Sequence, residues 1–257
     1  MSTPNATITR VAALVQRAER ILFITGAGLS ADSGLPTYRG VSGLYSNANT
    51  AEGYPIEIAL SASMFQQKPA LTWKYLWQIG AACVGAQPNP AHRWMAQLAT
   101  AKRDVWVLTQ NVDGLHRQAG STHLVEAHGH AFDLYCTACG KPYAAQALLN
   151  NYRGNPSLPP HCPRCAGIVR PNVVLFGEVL PLNVQKGLHR LQQIDFDLVF
   201  SIGTSALFPY ITYFIERASE QDKPVVEINP QTTEATPLCS HHIRQTAVLA
   251  CAAIAIA

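Results

Sequence analysis

The sequence predicts an α/β fold, a parallel sheet with helices on both faces, interrupted by a small inserted zinc-binding domain. Two observations carry this. Four short apolar runs, at 21–25, 105–109, 198–205 and 224–229, each follow a stretch of helical periodicity. Within that alternation, segment 130–170 holds two C-x-x-C pairs, Cys136/Cys139 and Cys162/Cys165. Alternating helix and strand is the signature of a parallel sheet, because parallel strands need crossover connections.

Residues 6–19 place Ile8, Val11, Leu14 and Val15 on one helical side. The run ILFIT (21–25) is continuously apolar, as a strand buried on both faces must be. Segment 41–90 breaks the rhythm, with a polar start (Ser42 to Thr50) and an aromatic helical stretch around Trp73, Tyr75 and Trp77. Rhythm returns with helical PAHRWMAQLATAK before VWVLT (105–109), NVQKGLHRLQQI before LVFSIGTS (198–205), and YITYFIERASEQ before PVVEIN (224–229). These strands end in Gly, Asn, Ser or Thr, which puts polar loops at their carboxyl ends, where open α/β sheets bind ligands. The predicted organisation is a main domain of 1–40, 91–129 and 171–257, a helical insertion over 41–90, and a metal module over 130–170.

The chain has 257 residues, 48% of them hydrophobic and 14% charged, which suffices for a large core and argues against wholesale disorder. A formal net charge of +3 without a dense Lys/Arg run gives no footprint for nucleic acid. The N-terminal MSTPNATITR lacks a basic-then-apolar signal layout, and the apolar stretch AVLACAAIAIA is too short to span a bilayer. A cytoplasmic location is the default expectation. Seven cysteines, an odd number without a secretion signal, argue against a disulfide framework.

The chemistry-bearing stretches are four. In ITGAGLSADSGLPTYRG (24–40), a strand leads through closely spaced glycines into a helix. That layout lets backbone N–H groups approach a phosphate. It equally suits a turn whose glycines serve only tight helix–strand packing. TQNVDGLH (109–116) sets Gln110, Asn111 and Asp113 at another strand's carboxyl end, suited to ribose hydroxyls or an amide-bearing ligand, or simply to capping the next helix. EAHGHAF (126–132) puts His128 before Gly129, in competition with eight other histidines. Finally, C-x-x-C, a gap of 22 residues (140–161), then C-x-x-C fits one tetrahedral Zn²⁺ held by Cys136, Cys139, Cys162 and Cys165. Four thiolates fill the coordination sphere, so the metal is predicted to be structural.

Taken together, GAGLSADSGLPTYR, TQNVDGLH, the His128–Gly129 pair, both C-x-x-C pairs, RPNVVLFGE (170–178), GTS (203–205) and INP (228–230) resemble, in order, the motifs of the sirtuins, NAD-dependent protein-lysine deacylases. The resemblance runs from about residue 10 to the end. It implies a Rossmann-like NAD domain, a small zinc-bearing domain and a substrate cleft between them. By this resemblance Gly26, Ala27, Gly28, Ser30 and Ser33 belong to the pyrophosphate loop. Leu35, Pro36, Tyr38 and Arg39 belong to a cofactor-binding loop that folds over the nicotinamide ribose. Asn111 and Asp113 match the nicotinamide pocket, with Gln110 near the ribose. Gly203, Thr204, Ser205 and Asn229 match contacts to the phosphate and adenosine side, and Ala247 an adenine contact. Val174, Phe176, Gly177 and Glu178 match the segment that clamps a substrate peptide by main-chain pairing.

His128 matches the general base. In the implied reaction the acyl oxygen attacks the ribose C1′ as nicotinamide leaves. Neutral His128 then takes a proton through the ribose hydroxyls, giving free lysine and an O-acyl-ADP-ribose. Two departures from the family stand out. Tyr38 replaces the usual Phe, so its hydroxyl needs a partner. Sirtuins that prefer succinyl or malonyl lysine carry a Tyr-x-x-Arg pair, whereas the best alignment here is Tyr75 with Gln78. Without a guanidinium an acyl carboxylate would be desolvated unpaired, which predicts acetyl or other uncharged acyl groups.

The rival readings are an NAD-dependent ADP-ribosyltransferase using the same pocket and a non-catalytic zinc-ribbon binding module. His128 disfavours the first. The second lacks a basic stripe, since residues 136–165 contain only Lys141, Arg153 and Arg164 as Lys/Arg.

Overall fold

The computed structural model describes residues 6–37, 49–100 and 102–257. Its elements in chain order are α1 (Ala6–Arg17), β1 (Arg20–Thr25), α2 (Ala27–Ser30), α3 (Ile56–Ala59), α4 (Ala62–Gln67), α5 (Pro69–Cys83), α6 (Pro90–Leu98), β2 (Asp104–Thr109), α7 (Leu115–Ala119) and β3 (His123–Glu126). There follow β4 (Gly129–Cys136), β5 (Pro142–Ala144), α8 (Ala145–Leu149), β6 (Val169–Val173), α9 (Leu182–Gln192), β7 (Leu198–Ile202), α10 (Pro209–Glu220), β8 (Val225–Ile228), β9 (His241–Ile243) and α11 (Ala247–Ile256).

The strand order of the main sheet is β3-β2-β1-β7-β8-β9, and every neighbouring pair is parallel. Counted along the chain this is the order 3-2-1-4-5-6 of dinucleotide-binding folds, which reverses between β1 and β7. Both strands are buried and mostly apolar, the exposed Arg20 at the start of β1 apart, because helices cover both faces. On one face α1, α6 and α11 bury Val11, Met95 and Ala250 against Phe23 and Phe200. On the other, α9 and α10 bury Leu191 and Ile215 against Leu22, Leu108 and Val199. Phe23 and Phe200 stack at 4.9 Å between ring centroids and tie the two switch-point strands together.

The two short outer strands, β3 and β9, carry little apolar sequence of their own and are not apparent from periodicity. The C-terminal apolar stretch forms α11, which packs against α1 and α6. Among the described residues no helix is long and apolar enough to cross a membrane.

A second, antiparallel sheet in the order β5-β4-β6 carries the cysteines. Helices α3, α4 and α5 of the 41–90 insertion pack against it. Trp73, Tyr75 and Leu76 share one apolar core with Leu134, Leu149, Tyr152 and Val169. The buried Trp73 indole donates to the Val169 carbonyl at 2.9 Å, which fixes α5 on β6. The insertion and the cysteine-bearing segment therefore form one lobe with a common core.

Candidate functional site

The carboxyl ends of β1, β2, β3, β7 and β8 converge at the strand-order reversal. After β1 the chain turns at Gly26 into α2; after β7 it turns at Gly203. The two turns interlock: the Gly28 N–H donates to the Gly203 carbonyl at 2.8 Å. A Cβ on Gly28 would lie 2.7 Å from the Gly203 Cα, and Gly203 adopts φ +59 with its own missing Cβ 2.4 Å from the Leu29 nitrogen. Close packing of two loops thus demands both glycines whether or not a phosphate is bound. The packing reading of the glycine stretch is correct as far as it goes. The same contact builds a floor of small residues at the switch point.

Polar side chains from β2's loop are held over that floor. Asn111 Nδ2 donates to the Gly26 carbonyl at 3.0 Å and to Ser30 Oγ at 3.1 Å. Ser30 Oγ donates in turn to Asp113 Oδ2 at 2.8 Å, and the Leu115 N–H donates to Asp113 Oδ1 at 2.9 Å. Asp113 is buried, and burial pushes its carboxyl up, against the lowering effect of those two hydrogen bonds. Gln110 Nε2 donates to Thr204 Oγ1 at 2.7 Å, and Asn229 Nδ2 to the Thr204 carbonyl at 3.2 Å. Ser205 beside it is exposed. The structure therefore gathers Gly26, Ala27, Gly28, Ser30, Gln110, Asn111, Asp113, Gly203, Thr204 and Asn229 at one end of the sheet.

Ser33 follows in the short turn after α2, with its Oγ buried and without a hydrogen-bond partner. Leu35 is buried and Pro36 partly so. Ala247 begins α11 and is buried; the next N–H, of Val248, donates to Asp32 Oδ2 at 3.1 Å. Tyr38 and Arg39 lie outside the described residues.

His128 stands between β3 and β4. Its Nδ1 is 3.0 Å from the Gln110 carbonyl, and its Nε2 is 2.6 Å from the Tyr210 hydroxyl. Burial lowers its tendency to take a proton, partly offset by the bond to Gln110. The neutral imidazole is therefore the favoured form near neutrality. Tyr210 and the neighbouring Phe208 were not among the residues that the sequence pointed to. They follow the Gly-Thr-Ser motif without a recognisable pattern, and only the fold brings them to His128.

Segment 173–178 runs from β6 between the two lobes. The Val174 N–H donates to the His128 carbonyl at 2.9 Å. Phe176 pairs on its other side with Leu60 and Ala62, through bonds of 3.0 and 2.9 Å. Gly177 is exposed at φ +83. The Glu178 carboxylate is turned inward to Arg170 and to the Leu175 N–H. Tyr75 is buried, with its hydroxyl donating to the Glu52 carboxylate, while Gln78 is exposed one turn on.

The four cysteines form the metal site that their spacing predicts. Cys136 ends β4, Cys139 sits in the turn to β5, and Cys162 and Cys165 lie before β6. Their sulfurs all fall within 4.8 Å of one another, with Cys136–Cys165 at 3.5 Å and Cys139–Cys162 at 3.8 Å. An all-thiolate donor set at tetrahedral spacing suits one zinc ion. Tyr143 places its hydroxyl 3.0 Å from Cys162 Sγ, where it can donate to a thiolate ligand. Cys83, Cys239 and Cys251 stand apart from this group.

Sheet order, switch-point loops and clustered polar groups define a dinucleotide-binding α/β protein with an appended thiolate metal lobe. The chain belongs to the Sir2 family, whose model matches residues 26–208. It is 49% identical over 232 residues to the NAD-dependent protein deacylase 2 of Pseudomonas aeruginosa, covering 90% of this chain and 89% of that protein. It is 37% identical over 226 residues to the NAD-dependent protein deacylase of Aeropyrum pernix, covering 87% and 86%. Among solved structures, a Sir2 homologue in complex with NAD matches with a TM-score of 0.79 at 29% identity, covering 96% of this chain and 93% of that one.

Proposed function

We propose that the chain is an NAD-dependent protein-lysine deacylase that acts on acetylated lysine in proteins or peptides. It transfers the acyl group to ADP-ribose and releases nicotinamide. The observation that carries this reading is the His128 ring. Its Nδ1 is tied to the Gln110 carbonyl at 3.0 Å, so Nδ1 bears the proton and Nε2 is left as a basic lone pair. That lone pair stands beside the loops that carry Asn111, Asp113 and Thr204. Simple ADP-ribosyl transfer has no need of a base there.

The roles follow from position. Gly26–Ser30 and Gly203–Ser205 form the loops suited to the dinucleotide's phosphates, Asn229 the adenosine side, and Asn111 with Asp113 the nicotinamide amide. Segment 174–178 borders the peptide's approach between the lobes. The zinc ion, once bound, cross-links the ends of the small sheet and supplies no chemistry at the cleft.

The test is nicotinamide release from NAD with and without an acetyl-lysine peptide. Release that requires the peptide, with deacetylated peptide formed in equal amount, supports the deacylase. Release that is indifferent to the peptide would replace this reading with an NAD hydrolase or ADP-ribosyltransferase.

A further inference from the structure

His128 is hydrogen-bonded at both ring nitrogens. The Gln110 carbonyl offers no proton, so Nδ1 must donate to it, and in the neutral ring Nε2 is left to accept. The group donating to Nε2, at 2.6 Å, is the Tyr210 hydroxyl. Tyr210 lies in the first turn of α10, immediately after Pro209. Its ring stacks on Phe208 with 5.5 Å between centroids and 19° between planes. Both rings stand edge-on to the imidazole, Phe208 at 5.3 Å and Tyr210 at 6.1 Å.

We propose that Tyr210 is a positioning residue of the deacylation centre: its hydroxyl holds the His128 Nε2 lone pair as an acceptor facing the cleft, and gives up that place to a ribose hydroxyl of the co-substrate. This rests on the reading of His128 as the base. The lone pair accommodates one short, well-aligned donor at a time. In the free enzyme that donor is Tyr210. A base that takes a proton from ribose must present the same lone pair to the ribose, so the phenol has to leave first.

The phenol is chemically suited to this part. Partial burial pushes its ionisation up to about 12, so it remains a neutral donor at working pH. Tyr210 is only partly buried, which leaves its ring room to swing toward solvent. While the bond stands, a proton from solvent cannot reach Nε2 without breaking it, and the neutral imidazole is favoured.

Several other titratable groups on the surrounding elements are already engaged. Asp113, after β2, is bonded to Ser30 and the Leu115 N–H. His116 on α7 bonds Thr25, and Glu126 on β3 pairs with Arg117. His130 on β4 faces Asp133, and Glu178 beyond β6 pairs with Arg170. On α10 itself, Arg217 reaches back to the Gln192 carbonyl. Among the described residues, the hydrogen-bond partners of the His128 ring are the Gln110 carbonyl and the Tyr210 hydroxyl.

The experiment compares wild type with Tyr210→Phe, which keeps the ring stack and removes only the hydroxyl. His128 is titrated in the free, zinc-loaded enzyme by NMR on histidine-labelled protein, its signal assigned with a His128→Asn variant. kcat/KM for NAD is measured against pH with saturating acetyl-lysine peptide. Loss of one neutral hydrogen bond to the unprotonated ring should raise the His128 midpoint by about 0.7 pH unit, roughly fivefold in the protonation equilibrium. The acidic limb of kcat/KM should move up with it. At about pH 8.5, where the ring is neutral in both proteins, the variant's loss in kcat/KM should stay below about tenfold.

Coincident midpoints would mean that the hydroxyl does not hold the ring. A loss of tenfold or more at about pH 8.5 would make the hydroxyl a participant in proton transfer instead of a displaced placeholder. Either result overturns the proposal. If wild type releases no nicotinamide with peptide, the deacylase reading fails instead, and the titration still reports on the Tyr210–His128 bond.

Discussion

The buried Arg170 guanidinium forks onto the Glu178 carboxylate, Nη1 to Oε1 at 2.5 Å and Nη2 to Oε2 at 3.1 Å, and the same Nη2 holds the Val173 carbonyl. Oε2 also accepts the Leu175 N–H at 2.8 Å. The ion pair therefore closes the loop between β6 and Gly177 from within, with Phe65 and Tyr135 against the guanidinium. Glu178, expected at the substrate surface, is instead turned inward and braces the loop from behind.

Glu178→Ala removes the carboxylate and leaves a buried guanidinium unpaired. Loss of one partner of such a pair should cost about 3 kcal/mol of stability. It should also raise KM for the acyl peptide, because Gly177 and the backbone around it lose their anchor. Urea unfolding and peptide kinetics check both effects. A variant with wild-type stability and KM would show that Phe176 pairing to Leu60 and Ala62 is enough to fix the loop.

Zinc should be found at one ion per chain and should be lost from each of Cys136→Ser, Cys139→Ser, Cys162→Ser and Cys165→Ser. Removing it leaves thiolates within 4.8 Å of one another without a counter-ion at the ends of a three-stranded sheet. The small lobe should then melt first, and activity should fall with it, since that lobe shares its core with α5. Metal analysis and thermal melts with and without chelator are the measurements. Retention of zinc in all four variants, or its loss on replacing Cys83, Cys239 or Cys251, would contradict the assignment.

His128→Ala should bind NAD within a few-fold of wild type and lose about 10²–10⁴ in the rate of deacylation, the usual contribution of a positioned general base. The ring's bonds are to Gln110 and Tyr210, not to the Gly26 or Gly203 loops, so its loss leaves those loops in place. Calorimetric binding of NAD alongside turnover separates the two effects. A near-wild-type rate would move the role to another histidine.

The main sheet is legible in the sequence because burial on both faces makes β1, β2, β7 and β8 largely apolar, interrupted within β7 by Ser201 and within β8 by Glu227, which accepts from Thr233 and Thr236. β3 and β9 are short edge strands, and His123, Glu126, His241 and His242 within them break any run. The cysteine spacing predicts the metal site because four sulfurs can meet only when two knuckles face each other. The packing of α5 on β6 is not legible, since Trp73 would suit any core and only the Val169 carbonyl selects its partner. The place of Tyr210 is not legible for a similar reason: nothing in FPY marks a residue that meets a histidine 82 positions away.

Acid lability should come from the buried pair His92 and His116. His92 is fully buried, neither of its ring nitrogens has a hydrogen-bond partner, and its ring lies edge-on to His116 at 4.8 Å. Burial, with a smaller push from Arg93, lowers His92 to about 4, and burial holds His116 well below the ordinary value. For a base with a depressed folded-state pKa, the unfolded chain binds more protons between about 4 and 6.5. Stability is then complete above about 6.5 and falls as pH drops through that window, by roughly 3 kcal/mol from His92 alone. His92→Leu should flatten the fall. Urea unfolding at a series of pH values tests it, and a variant that tracks wild type throughout would refute it.

Acyl choice should follow the charge beside Tyr75. The Tyr75 hydroxyl donates to Glu52, and Lys74 takes the other carboxylate oxygen. Those bonds, that from Lys74 foremost, hold Glu52 below its ordinary range and keep it ionised. If Tyr75 lines the acyl pocket, its proton is already committed to an anion, and a succinyl carboxylate would meet a like charge instead of a donor. Gln78, exposed one turn on, brings no positive charge. The desolvation of an unpaired carboxylate, several kcal/mol, predicts at least about a tenfold preference in kcat/KM for acetyl over the matched succinyl peptide. Gln78→Arg should narrow the ratio, and adding Glu52→Gln should narrow it further by removing the repulsion. Equal wild-type efficiency on the two peptides would defeat the preference. A ratio unmoved by both substitutions would place the acyl pocket elsewhere than on α5.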